Sequence, residues 1–122
     1  MTKILIIDDS SFQRKILSGI LKDAGHDVVI AENGKDGLAC AVKENPDIII
    51  TDLLMPEYNG YFLLEQVKTK NIPIPVVIVT SDIQDSTRER CVSLGAAGFL
   101  NKPVKKETLQ SAIKKVLAGE RK

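Results

Sequence analysis

The sequence predicts an α/β fold, an open doubly wound parallel sheet, and three features carry that expectation. Five short apolar runs, mostly β-branched, recur at fairly even intervals along the 122 residues. They are continuous rather than alternating, which suits strands buried on both faces by helices. Segments of helical period separate them, so strand and helix signals alternate in a βα repeat. Right-handed crossovers with helices on both faces then favour an open sheet, whose ligands sit beyond the carboxyl ends of the strands.

The first run is "ILII" at 4–7. A helix follows over 10–24, with Phe12, Ile16, Ile20 and Ala24 on one stripe, a capping box from Ser10 to Gln13 and a stop at Gly25. His26, in that turn signal, reads as a surface residue. The second run is "VVIA" at 28–31, followed by a helix over 34–44. The third is "IIIT" at 48–51, and the helix after it spans 60–70, with Gly60 relieving the backbone at its entrance. The fourth is "VVIVT" at 76–80. Its helix, 84–94, has only the thin stripe Thr87, Cys91 and Leu94, so it is expected to be the least firmly packed. The fifth is "GFL" at 98–100. The last helix, 105–118, places Leu109, Ala112, Ile113, Val116 and Leu117 on one face and Lys106, Lys114 and Lys115 away from it.

Length and composition bound the function. A chain of 122 residues is one domain by default and can bury a core without disulfides or structural metal. With 43% apolar and 27% charged residues it has a globular composition, and a net charge of +1 supplies no global field for nucleic acid or anionic membrane. The basic residues Lys105, Lys106, Lys114, Lys115, Arg121 and Lys122 read as a solvated face; an acidic partner is compatible with them, whereas DNA lacks a recognition module. Cys40 and Cys91 lack neighbours at metal-ligand spacing and read as buried or half-buried free thiols. The opening "MTKILIIDD" is unlike a signal peptide, and no run approaches the roughly 18 apolar residues of a membrane span, so the expected location is cytoplasmic.

The chemistry lies in the residues that end the strands. Asp8 and Asp9 follow the first, Asp52 the third, Thr80 and Ser81 the fourth, and Asn101, Lys102 and Pro103 the fifth; the second contributes nothing obvious. In a parallel sheet these ends share one edge. Two like charges about 4 Å apart at an effective dielectric near 20 repel by about 4 kcal/mol, so three clustered carboxylates need cations or a proton. Lys102 supplies one positive charge. A hard divalent cation is the expected remainder, and Mg²⁺ fits because it uses one or two carboxylates, keeps waters and works with phosphate oxygens. Such a site is suited to a phosphoryl group, with an Asp52 oxygen in line as nucleophile and Lys102, the Thr80 hydroxyl and loop amides stabilising the equatorial oxygens.

Blander readings stand beside these. Asp8 and Asp9 alone would be a strand stop with a helix cap and Thr80 and Ser81 an ordinary strand end, while Lys102 reads evenly as a solvated turn or a site residue. For Phe99, a plain core position is a serious alternative. Convergence on one edge moves the balance toward a site.

The order and spacing of "DDS" at 8–10, "DLLMPEYNG" at 52–60, "TS" at 80–81 and "GAAGFLNKP" at 95–103 resemble a bacterial two-component response-regulator receiver domain, of the chemotaxis-regulator-like, stand-alone kind. The resemblance covers essentially the whole chain, residues 1–122, as a single receiver domain. It implies a flavodoxin-like doubly wound (βα)5 fold, with its five-stranded parallel sheet in the order 2-1-3-4-5. It implies that Asp52 takes a phosphoryl group from the phosphohistidine of a sensor histidine kinase. By the same resemblance, Asp8, Asp9, Asp52 and the backbone carbonyl of Leu54 hold Mg²⁺, and Thr80, Ser81 and Lys102 contact the phosphoryl group. A cis peptide before Pro103 is implied as well. Thr80 and Phe99 would form a switch pair that alters the surface of the fourth helix, fifth strand and fifth helix. With no output domain after residue 122, the expected output is contact with a downstream protein the sequence does not identify, or a homodimer through that surface. No direct contact with nucleic acid or membrane is implied.

Two other functions compete. An aspartyl-phosphate phosphohydrolase similar to haloacid-dehalogenase-like proteins needs an acid/base aspartate two residues beyond the nucleophile, where this chain has Leu54. Catalysis is therefore expected to be limited to the chain's own phosphorylation and dephosphorylation. A non-phosphorylated binding module would not require Asp8, Asp9, Asp52, Thr80 and Lys102 together. Apolar Leu54 offers attacking water no hydrogen bond and is expected to lengthen the acyl-phosphate lifetime. Asp82, two residues beyond Thr80, borders the same route, with an effect of undetermined sign.

Overall fold

The structure, a computed structural model, describes residues 2–119. Its elements run β1 Lys3–Ile7, α1 Ser11–Asp23, β2 Asp27–Ala31, α2 Gly34–Glu44, β3 Ile48–Asp52, α3 Gly60–Thr69, β4 Val76–Thr80, α4 Asp85–Ser93, β5 Gly98–Asn101 and α5 Lys106–Leu117. All strand pairs are parallel, in the order β2-β1-β3-β4-β5. Fold class and strand order are those expected.

Alternate residues of each strand serve opposite cores. Leu5, Ile7, Ile49, Val76 and Ile78 pack with Ala41, Leu63, Leu64 and Cys91 from α2, α3 and α4. Ile4, Ile6, Ile48, Ile50, Val77 and Val79 pack with Leu17 and Leu21 from α1 and with Leu109, Ile113 and Val116 from α5. Burial on both faces explains why the strand sequences carry no polar alternation.

Two expected stripes need correction. In α1 the sheet takes Leu17 and Leu21, while Phe12 and Ile16 are 69% and 41% exposed and Ala24 is also exposed; of the expected stripe only Ile20 packs, partly, against the core. This helix carries two apolar rows one residue apart, and the sheet selects the row containing its leucines. In α5, Leu117 is 40% exposed at the last turn, while Leu109, Ile113 and Val116 are buried as expected.

Ser10 caps α1 by accepting from the Gln13 amide at 3.2 Å, but its own amide donates to Asp8 Oδ1 at 2.9 Å. A site residue thus takes the place of the expected Gln13 side chain. Gly25 ends the helix with φ +90°, the Gly25 amide bonding to Lys22 O and the His26 amide to Leu21 O, a Schellman arrangement. His26 itself is half-buried rather than fully on the surface.

Gly60 opens α3 for a reason other than backbone freedom. A Cβ there would lie 2.9 Å from Asp52 O and 3.0 Å from Leu53 Cα. Close approach of α3 to the end of β3 therefore demands glycine, and the Gly60 amide donates to Leu53 O at 2.9 Å. Cys40 is half-buried and Cys91 buried, both free; burial pushes both thiols up, away from reactive thiolate. Lys105, Lys106, Lys114 and Lys115 are exposed, while Arg121 and Lys122 lie outside the described residues. Among the described residues no helix is long and apolar enough to cross a membrane.

Candidate functional site

The carboxyl ends of β1, β3 and β5 bring the expected charges together. Asp8, just past β1, is 2% exposed. Its Oδ1 accepts from the Ser10 amide, its amide donates to Ala31 O at 3.2 Å, and its Oδ2 accepts from Lys102 Nζ at 3.4 Å. Asp52, the last residue of β3, accepts from the Leu53 amide at 2.8 Å on Oδ1 and pairs with Lys102 Nζ at 3.2 Å on Oδ2. One ammonium therefore bridges two carboxylates. The Lys102 amide also donates to Thr80 O at 2.8 Å, tying the β5 end to β4, and the Lys102–Pro103 peptide is cis.

Asp9 is exposed at the mouth, and one carboxylate oxygen each from Asp8, Asp9 and Asp52 lies within 4.8 Å of the others. That spacing and all-oxygen donor set fit a hard cation open to solvent on one side. Burial pushes the Asp52 carboxyl up from its ordinary range, and Asp8 adds to the rise, while Lys102 and the Leu53 amide oppose it. A further positive charge in the pocket would favour the ionised form.

Thr80 is 1% exposed at the end of β4, next to β3 in the sheet. Its Oγ1 accepts from the Asp82 amide at 3.2 Å, which leaves its hydroxyl proton able to donate elsewhere. Ser81 sits exposed at the rim. Leu54, two residues beyond Asp52, is 58% exposed between buried Leu53 and Met55. Phe99 is 6% exposed, paired in register with Ile78, with the Arg88 guanidinium 5.9 Å from its ring centroid. In this structure it lies inward, in the core.

Three sets of contacts were not expected from the sequence. Arg14 Nη1 donates to the carbonyl of Asp8 at 2.7 Å, and Nη2 lies 3.7 Å from Glu32 Oε1. The end of β2 contributes through Ala31 O, which holds the Asp8 amide, while Glu32 only weakly meets Arg14. Asp82 is turned toward α4: Oδ1 accepts from the Gln84 amide at 2.9 Å and Oδ2 from Thr87 Oγ1 at 2.7 Å. Those bonds, the Gln84 amide first, hold its carboxyl below the usual range. Asn101 Nδ2 donates to Asp82 O at 3.1 Å, closing the loop onto β5. The available signal was a polar or charged residue at a strand end or within seven positions of one: Asn101 ends β5, Glu32 and Asp82 follow β2 and β4 by one and two positions, and Arg14 follows β1 by seven.

A family model described as the response regulator receiver domain matches residues 4–114. The chain is 41% identical over 121 residues to protein PilH of Pseudomonas aeruginosa, covering 98% of this chain and 100% of that one. It is 39% identical over 117 residues to the two-component response regulator ORR11 of Oryza sativa, covering 93% and 80%. Among solved structures, chemotaxis protein CheY4 of Vibrio cholerae superposes with a TM-score of 0.89 at 33% identity, covering 95% of this chain and 98% of that one. Fold, strand-end pocket and sequence agree, and the chain belongs to the response regulator receiver domain family of two-component signalling.

Proposed function

We propose that Asp52 is the phosphoacceptor of a cytoplasmic signalling switch charged by a sensor histidine kinase. In the transfer, an Asp52 carboxylate oxygen forms the new bond to phosphorus while the phosphorus–nitrogen bond of the phosphohistidine breaks, and the imidazole leaves with the bonding electron pair. The observation that carries this reading is Lys102 Nζ held between Asp52 and Asp8, with Asp9 alongside. Lys102 neutralises charge on the incoming oxygens. Thr80, its oxygen occupied by the Asp82 amide, has a proton to donate to one of them, and Ser81 offers a second hydroxyl at the rim. Asp8, Asp9, Asp52 and the Leu54 carbonyl would hold Mg²⁺, which when bound supplies the hard positive charge that phosphoryl oxygens need.

Receiver domains act on other proteins, and the proposed output is a changed surface on α4, β5 and α5. Movement of Thr80 toward the phosphoryl group would withdraw the acceptor of the Asp82 amide and so reach α4. A downstream protein, or a second copy of the chain, would read that face. Direct contact with nucleic acid or membrane is not part of this reading. Nor is turnover of an external substrate, because the position two residues beyond Asp52 is Leu54, which has no proton to exchange.

Intact-mass analysis after incubation with acetyl phosphate and Mg²⁺ tests the acceptor. One phosphoryl adduct is expected on the wild-type chain, absent from Asp52→Ala and absent with a chelator. An undiminished adduct on Asp52→Ala would overturn the assignment, and steady phosphate release at enzyme-like rates would favour a phosphohydrolase instead. The exposed Leu54 side chain gives a second handle: Leu54→Asn is expected to shorten the acyl-phosphate lifetime by offering water a hydrogen bond. An unchanged decay rate would remove Leu54 from that role.

A further inference from the structure

We infer that Arg14 is a positioning residue that fixes the Asp8–Asp9 peptide for cation binding. This rests on the proposed Mg²⁺ site and adds to it a residue on α1. Arg14 lies in the first helical turn, where the helix dipole disfavours a cation by about 0.3–1 kcal/mol. A cation kept there needs a compensating partner. The structure supplies one: Nη1 donates a short bond, 2.7 Å, to the carbonyl oxygen of Asp8, and the side chain is only 13% exposed.

That carbonyl belongs to the peptide joining the two acidic residues. Asp8 is held at its amide by Ala31 O and at its carboxylate by the Ser10 amide and Lys102. Arg14 adds the fourth restraint, on the bond leading to Asp9, whose side chain is exposed and must be aimed by its backbone. Through Nη2 the same guanidinium reaches Glu32 on the β2–α2 loop. Glu32 is 73% exposed in its side chain at 3.7 Å, so the pair is a weak one and the carbonyl bond is the stronger contact.

Positioning and simple charge make opposite forecasts. Removing a positive charge near an acidic pocket should strengthen cation binding. Losing the restraint on Asp9 should weaken it, as loss of outer partners of metal ligands does by about tenfold or more.

The test uses the full chain and Mg²⁺ alone. Calorimetric titration is expected to show Arg14→Met binding Mg²⁺ about tenfold more weakly than wild type, with Arg14→Lys recovering most of the loss and Glu32→Gln unchanged. In the metal-free protein, amide exchange at Ser10 should quicken in Arg14→Met, while the buried β3 amide of Ile50 exchanges as in wild type. Arg14→Met binding as tightly as wild type or more tightly, with Ser10 exchange unchanged, would overturn the inference. A wild-type chain that bound no Mg²⁺ would instead overturn the reading of the pocket, and Ser10 exchange would still decide whether Arg14 holds the peptide.

Discussion

Helices α4 and α5 both flank β5, yet they are fastened to the sheet by different forces. α5 buries Leu109, Ile113 and Val116 at 0–6% exposure, a continuous apolar row. α4 buries only Thr87 and Cys91. Its remaining attachments are polar: Thr87 to Asp82, the Arg90 guanidinium stacked 3.8 Å from the Tyr61 ring centroid, and Arg88 over Phe99. Apolar burial has no substitute partner in water, whereas hydrogen bonds and cation–π contacts exchange with solvent at about 1 kcal/mol each. The difference identifies which helix can be repositioned by a small change at the site. α4 is also the helix whose anchor, Asp82, places its amide on Thr80.

The largest effect should come from the apolar side of this contrast. Ile113→Ala is expected to cost about 2–5 kcal/mol of unfolding free energy in denaturant melts. Thr87→Val is expected to lower Tm by only a few degrees, and to leave α5 exchange rates unchanged while α4 amides exchange faster. Equal losses at the two positions would erase the distinction between the helices.

A smaller effect is set by pH. The folded-state pKa of Asp82 is depressed, so its contribution is complete above its unfolded value near 3.8 and is lost as pH falls through the lower folded value. The Tm advantage of wild type over Asp82→Asn should therefore be present at pH 7 and shrink toward pH 3. A gap that widened on acidification would contradict the bonding seen at Gln84 and Thr87.

The same contrast explains what the sequence could reveal. Continuous β-branched runs and a single apolar row state their burial directly, so strands, helix limits and, apart from Leu117, the core side of α5 were legible, as was the thin stripe of α4. The charged cluster was legible too, because parallel strands send all their carboxyl ends to one edge, and Asp8, Asp52 and Lys102 meet there. What stayed hidden depends on side-chain direction. Leu17 and Leu21 could not be separated from Phe12 and Ile16 by period alone, since both rows are apolar and adjacent. The Arg14 contact was hidden because its partner is the backbone carbonyl of Asp8, and the turn of Asp82 toward α4 because a carboxylate two residues past a strand end can face either the pocket or the next helix. Gly60 was noted for the wrong property, as its role is proximity to Asp52 O, visible only once α3 is placed.

Hydrogen exchange with and without acetyl phosphate and Mg²⁺ decides whether charge captured at Asp52 is transmitted through Thr80 and Asp82 to a helix held by exchangeable contacts. Protection should change across α4 and the β4–α4 loop, remain constant at the buried centre of α5, and show no change in Asp52→Ala. A phosphorylated chain whose α4 exchange matched that of the unmodified chain would contradict that transmission.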